Sequence, residues 1–424
     1  MKISNRKIHL FNPGHEDAIR TGRPHYTPPA SVCKMMADLA LLPAWYGMEG
    51  DYVIMNETDE AFRFLLSLPP CIRPATLPIL PSELAQLSPS TPIEAAPWGL
   101  SPHSIRLFES FRKQDAHFII PRWKEIYAHL TRRQTALECL SGIRSLLPYA
   151  FASLTLPRFC STSGEIRRFM AEYPPPYILK TPYSCSGRGL YRMQTGEFDL
   201  QASRRLEGSL KKQGVVSIEP ALDKVCDFAM EFYSDGCGHI RYEGLSVFET
   251  SSNNTYYGNI LGSQQVLEQQ ITKFISSAHL LETREAITSV LTNVLGSVYR
   301  GYLGVDMLVY RKVEARETGE IGEAGEIKDS RYAIHPFIEM NLRHTMGLVA
   351  LQLSNRLVHP FSQGQLVITC DKTPNKAYQA HLQMEEQYPL QIIDNKIQSG
   401  YLSLCPVMPE THYRAYMLTN AGLM

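Results

Sequence analysis

No run in this 424-residue chain approaches the roughly 18 consecutive apolar residues of a membrane-spanning helix, so no bilayer segment is expected. The N-terminus is equally short of an apolar block. Only Ile8 to Phe11 precede Asn12 and Pro13 there, too little for the apolar core of a secretory signal. Excess charge is missing as well: 42 basic and 42 acidic residues cancel, which argues against a nucleic-acid-coating protein or one held to anionic lipid by bulk electrostatics. The nine cysteines are odd in number and include no C-x-x-C pair. They read as incidental thiols of a reducing compartment, not as a disulfide scaffold. A soluble cytoplasmic protein, with no nucleic acid and no membrane among its partners, is expected. Neither G-x-x-x-x-G-K-[ST] nor the kinase set with H-R-D and D-F-G occurs, which excludes those two nucleotide folds.

The length predicts two or three domains. Residues 7–11 read as a strand, broken by NPGHED and followed by a Pro-rich passage, a helix over 32–42 and a strand over 51–55. That order suggests a small α/β domain with a parallel sheet, whose ligand edge holds the loop carrying Asn12, His15 and Glu16. Residues 66–92 are Pro-dense and read as connection, and PWGLSP as a turn. Helical spacing follows from Ser104 and again over 126–140, with a domain boundary near 115–125. A short strand after Pro157 leads to a helix over 164–172 with Ser163 as its cap. Strands are expected at 215–218, 227–233, 241–248, 304–310 and 333–341, with the strongest helix at 272–295. The Gly/Glu-rich spacer 311–330 reads as a solvated hairpin extension, and residues 370–424 as edge strands of an appendage on the second lobe.

Two motifs carry chemistry. In YILKTPYSCSGRGLYR, Lys180 ends an apolar strand and precedes a small-residue loop in which Gly187 and Gly189 allow close backbone approach. Converging N–H groups and a point charge make an anion cradle. Cys185 in that loop reads as an incidental small residue. Further on, GVDMLVY alternates so that Asp306 faces away from Val305 and Met307, and IHPFIEMNLRH places Glu339 and Asn341 on one strand face. If these strands are neighbours, Asp306, Glu339 and Asn341 form an all-oxygen set suited to Mg²⁺ or Mn²⁺, with open positions for water and nucleotide phosphates.

In the order and chemistry of these motifs, residues 125–350 or so resemble an ATP-grasp protein, the superfamily of carboxylate–amine ligases that includes D-alanine–D-alanine ligase and glutathione synthetase. The resemblance implies an α/β fold with α+β lobes: a Rossmann-like pre-ATP-grasp domain over 1–120, a small lobe with a phosphate-covering flap over 121–212, and a large lobe with the metal site over 213–424. It implies that Lys180, Ser184, Ser186, Gly187 and Gly189 hold ATP phosphates, that Glu219 lies near adenine and ribose, that Asp227 is the cofactor-binding acidic residue opening the next strand, that Asp306, Glu339 and Asn341 bind Mg²⁺, and that Arg343 lies near the transferred phosphate. The family's second phosphate-binding lysine is missing. Arg133, or its neighbour Arg132, stands in LTRRQTALECL instead, and a guanidinium fork is not equivalent to an ammonium.

The implied activity is ATP-dependent phosphorylation of a carboxylate followed by attack of an amine. Its partners are small-molecule carboxylates and amines, and a homo-oligomer is compatible with it. A non-catalytic ATP-binding module and a carboxylate kinase are the alternatives. Substrate contacts are expected from Asn12, His15 and Glu16, with His15 and Glu16 able to orient or deprotonate an amine, and from Asn253, Tyr257 and Asn259.

Overall fold

Five short parallel strands open the fold, in the order Leu77–Ile79, Tyr52–Ile54, Arg6–Leu10, Ile93–Pro97 and Phe118–Ile119. The computed structural model describes residues 6–87, 92–112, 118–148, 154–183, 189–250, 256–312 and 331–421. Ile8, Leu10, Ile54, Ile79, Ile93 and Ala95 make the core of this sheet with Phe108 and Phe118. The strand order reverses at Arg6–Leu10, so the loop after it lies at the topological switch point, where open α/β sheets present ligand sites. The expected parallel domain is therefore present. The segment 66–92, expected to be connection, contributes the strand Leu77–Ile79. Its three residues and Pro78 hide it from pattern reading, and proline is tolerated there because the strand is at the sheet edge.

The described chain forms two units, each composed of separate segments: Met1–Glu125, Tyr257–Gln264 and Arg343–Met424 in the first, Ile126–Tyr256 and Gln265–Leu342 in the second. This differs from the contiguous division 1–120, 121–212 and 213–424. Residues 343–424 do not form an appendage of the second lobe. Val349, Ala350 and Leu353 of the helix Met346–Arg356, with Leu366, Leu402, Ala415 and Met417, share one core with Leu41, Leu42, Trp45 and Trp98. Polar links run the same way: the Trp45 indole donates to the Leu404 carbonyl at 2.6 Å, and Asp38 accepts from the backbone of His412 and Tyr413 at 2.9 and 3.0 Å. The antiparallel strands of this part follow the order Tyr256–Leu261, Ser362–Cys370, Tyr413–Ala421, Lys396–Ser403 and Gln391–Ile393.

The second unit contains two antiparallel arrays. The smaller runs Arg158–Cys160, Val216–Pro220, Tyr177–Lys180, Leu190–Met193. Tyr177, Leu179, Val216 and Ile218 pack on Ile166, Phe169 and Leu206 of the helices Ser163–Glu172 and Leu200–Gln213. The first of these helices is capped by Thr162, whose hydroxyl accepts from the Glu165 N–H at 3.2 Å, and not by Ser163 as expected. In the larger array Tyr332–Asn341, Arg300–Arg311, Asp223–Asp235 and Ile240–Thr250 are successive neighbours.

One expected helix is divided and another starts late. The first becomes Ile126–Leu130 and Arg133–Leu146; the helix expected over 272–295 runs Ser277–Leu295 with Ser276 as its cap, and a separate helix, Gln264–Thr272, precedes it. Residues 313–330, the expected hairpin extension, lie outside the described residues. Among the described residues, no helix is long and apolar enough to cross a membrane.

Candidate active site

Strand alternation aims the first functional pair. Tyr177 and Leu179 turn to the helices, so Ile178 and Lys180 turn to the opposite face, and Glu219 stands across from Ile178. Lys180 and Glu219 are thus diagonal neighbours on one face, and they form an ion pair. Both are buried, at 8 % and 7 % exposure. Burial alone would raise the Glu219 carboxyl, but Lys180, His335 and Arg133 hold it below the usual carboxylate range. The Thr181 N–H donates to the Gly189 carbonyl at 3.0 Å and closes the base of the loop. Ser184, Ser186 and Gly187 lie outside the described residues.

The larger array supplies the oxygen set. Asp306 is directly opposite Glu339, Gly304 is opposite Asn341, and the Asn341 side-chain amide donates to Asp306 Oδ2 at 3.1 Å. Carboxylates facing each other across a strand pair repel. Arg133, the first residue of Arg133–Leu146, offsets this: its Nη2 is 3.0 Å from each Glu339 oxygen. Its Nε donates to the Thr181 carbonyl at 3.1 Å and its backbone N–H to the Pro182 carbonyl at 3.2 Å. Arg132 turns elsewhere, donating to the Tyr183 hydroxyl at 2.8 Å and lying over that ring. Of the two arginines, Arg133 is therefore the one at the oxygen set.

Asp306, Glu339 and Asn341 offer two carboxylates and an amide, a donor set that fits a hard divalent cation with positions left for water or phosphate. Among the described residues no group of three or more His, Cys, Asp or Glu side chains could hold a metal. Asp227 shares the Asp306 face through its register with Leu308, and its Oδ2 takes Lys224 Nζ at 2.5 Å and the Thr250 hydroxyl at 3.0 Å.

Two residues of this face escaped sequence reasoning. Glu231 stands opposite Gly304, is 2 % exposed, and accepts from the Ser246 hydroxyl at 3.2 Å. The alternation Asp227, Ala229, Glu231 was the available signal. His335 shares the Glu339 face by strand alternation and stands opposite Leu308, across an irregular register between Asp306 and Leu308. Two-residue counting from Glu339 would have reached it.

Burial, with Lys180 behind it, lowers the His335 imidazole to about 4 against the pull of Glu219. Below pH 6.5 the unfolded chain therefore binds a proton that the folded chain refuses. The associated stability is fully present above pH 6.5 and is lost as pH falls from 6.5 toward 4, a loss of about 3 kcal/mol. Denaturant titrations at pH 7 and pH 4.5 should show a smaller difference in His335→Gln than in the parent protein.

The first unit brings together a second group at the switch point. Asn12 and Gly99 are tied reciprocally, the amide donating to the Gly99 carbonyl at 2.7 Å and the Gly99 N–H donating back at 3.2 Å. The His15 ring lies against Gly99, where a Cβ would collide with it. Both ring nitrogens of His15 and Oε2 of Glu16 are buried with no hydrogen-bond partner among the described residues. Glu16 Oε1 takes Arg343 Nε at 3.1 Å. Burial, helped by the Arg343 charge, holds His15 well below the usual imidazole value, so it is a neutral base. Asn12, His15, Glu16 and Arg343 thus belong to one cluster. Tyr257 is exposed and Asn259 buried in the strand Tyr256–Leu261, and Asn253 lies outside the described residues.

No family model and no curated protein matches the sequence. Solved structures do match the fold. The N5-carboxyaminoimidazole synthetase of Staphylococcus aureus complexed with ADP is 11 % identical, with a TM-score of 0.50 over 100 % of this chain and 95 % of that one. The biotin carboxylase domain of 2-oxoglutarate carboxylase from Hydrogenobacter thermophilus, in complex with MgADP, ADP and bicarbonate, is 11 % identical, with a TM-score of 0.51 over 99 % and 87 %. Campylobacter jejuni biotin carboxylase, in its β,γ-ATP complex, gives 11 %, 0.50, 99 % and 88 % in the same terms. These structures share the ATP-grasp fold, and the chain has that fold.

Proposed function

We propose that the protein is an ATP- and Mg²⁺-dependent carboxylate–amine ligase of the cytoplasm, which activates a small carboxylate as an acyl phosphate for attack by an amine. The observation that carries this reading is the union, in one unit, of the Lys180–Glu219 pair with Asp306, Glu339, Asn341 and Arg133. The nucleotides held by the solved counterparts, ADP in the synthetase and MgADP in the carboxylase domain, agree with it.

Phosphoryl transfer needs positioning and charge neutralisation more than a covalent nucleophile, and the residue types suit that need. Lys180 and the N–H groups of the flanking loop would hold phosphate oxygens, and Glu219 the nucleoside end. A divalent ion on Asp306, Glu339 and Asn341 would supply neutralisation of the phosphate charge. In the first unit, Glu16 would orient the amine and neutral His15 would take a proton from its nitrogen as the C–N bond forms, with Arg343 as the anion partner of the carboxylate side.

The reading is tested by ADP release against pools of carboxylates and amines. Release that needs both pools supports the ligase. Release without amine favours the carboxylate kinase, and nucleotide binding with no turnover under any pool favours the ATP-binding module. His15→Asn should lower amine-dependent ADP release about 10²-fold, the usual scale of a lost general base, with MgADP binding by calorimetry unchanged. Equal losses in binding and turnover would remove His15 from the amine side.

A further inference from the structure

The charge balance of the second unit has a particular form. Each cation suited to phosphate is neutralised by a carboxylate suited to another part of the ligand: Lys180 by Glu219, Arg133 by Glu339. The Arg133 side chain is 9 % exposed and that of Glu339 is 24 %. Charges this sheltered are costly to leave without a partner. We propose that Arg133 is a coupling residue which makes metal and nucleotide binding depend on one another. This inference rests on the nucleotide and metal site proposed above.

Consider each ligand alone. A divalent cation that takes Glu339 places a second positive charge beside Arg133 and removes the carboxylate that balanced it. A phosphate that takes Arg133 leaves Glu339 opposite Asp306, two carboxylates with one counterion fewer. Both arrivals together satisfy every charge, since Glu339 and Asp306 gain the cation while Arg133 gains the anion. The exchange is one ion pair for two, and each half taken alone gives up the Arg133–Glu339 pair.

A second feature ties this to the loop. Arg133 Nε donates to the Thr181 carbonyl, one residue beyond Lys180, and its backbone N–H donates to the Pro182 carbonyl. The same guanidinium therefore joins the base of the loop to Glu339, and a change in its partner is felt at both. A lysine has donors enough but no planar fork whose separate nitrogens face the Thr181 carbonyl and Glu339 in fixed directions. The arginine at this position is thus suited to coupling, and not only to holding phosphate.

The test uses Mn²⁺ without nucleotide, followed by loss of its free spin-resonance signal, and ADP in EDTA, followed by calorimetry. Arg133→Gln should bind nucleotide-free Mn²⁺ about tenfold more tightly than the parent protein, and Glu339→Gln should bind metal-free ADP about tenfold more tightly, within the range of site-to-site coupling. In the Arg133→Gln background, Glu339→Gln should give no such gain for ADP. A gain that persists there would mean simple repulsion between carboxylate and phosphate, and would overturn the coupling role.

Unchanged or weaker Mn²⁺ binding in folded Arg133→Gln would also overturn it. If melting curves show that variant unfolded, Arg133→Met, of similar length and without the charge, takes its place, with a similar gain expected and no gain overturning the role. Failure of the parent protein to bind MgADP would instead sink the nucleotide-site reading itself, an outcome distinct from the others.

Discussion

Glu339→Gln should abolish ADP formation while leaving the fold intact. Glu339 stands directly opposite Asp306 and diagonal to Gly304, in the middle of the oxygen set. An amide keeps the shape and one acceptor oxygen but removes the charge that a divalent cation and the guanidinium of Arg133 both require. Loss of one electrostatic contact of this kind costs about 10²-fold or more in rate, on the order of 3 kcal/mol. Losing a metal ligand should exceed that. Stability should fall modestly, because the sheltered Arg133 loses its carboxylate partner while repulsion between the two opposed carboxylates is relieved. Turnover near the parent rate would sink the metal assignment, and a large drop in melting temperature would make lost folding the explanation for lost activity.

Lys180→Ala should be damaging twice. It removes the point charge at the mouth of the loop, and it leaves Glu219 buried with its main counterion gone. Breaking a buried pair from one side costs about 3 kcal/mol or more, so the variant should unfold at distinctly lower denaturant. Turnover should fall by about 10²-fold or more on electrostatic grounds alone. Lys180→Ala combined with Glu219→Gln separates the two effects. The double variant should recover stability, because no unpaired charge remains, and should stay inactive. Recovery of both would mean that Lys180 holds the fold and does not act on phosphate.

The parts of this site legible in the sequence were those carried by strand alternation. Lys180, Asp306, Glu339 and Asn341 sit where two-residue periodicity placed them, because each strand has one apolar face whose burial leaves no choice for the other. His335 is within reach of two-residue counting from Glu339, but the apolar Phe337 between them is buried and masks the polar face in the sequence pattern. The partner of Arg133 was hidden for another reason. Glu339 lies 206 residues away, and no local pattern specifies a contact of that range. In the fold, the strand Leu77–Ile79 was missed because three residues with a central proline carry no periodic signal. The helix expected over 272–295 begins only at Ser277, because the Ser276 side chain accepts from the His279 N–H and caps the helix there.

The way the first unit is assembled from three chain segments has a consequence for synthesis. Its core combines Leu41, Trp45 and Trp98 with Leu261 and with Leu353, Ala415 and Met417, so it stays unfinished until almost the whole chain has left the ribosome. The second unit ends at Leu342 and can condense earlier, since domains generally fold as they emerge. Premature termination after residue 342 should therefore release a folded second unit joined to an N-terminal segment with an exposed apolar surface, the kind of product that chaperones hold and proteases clear.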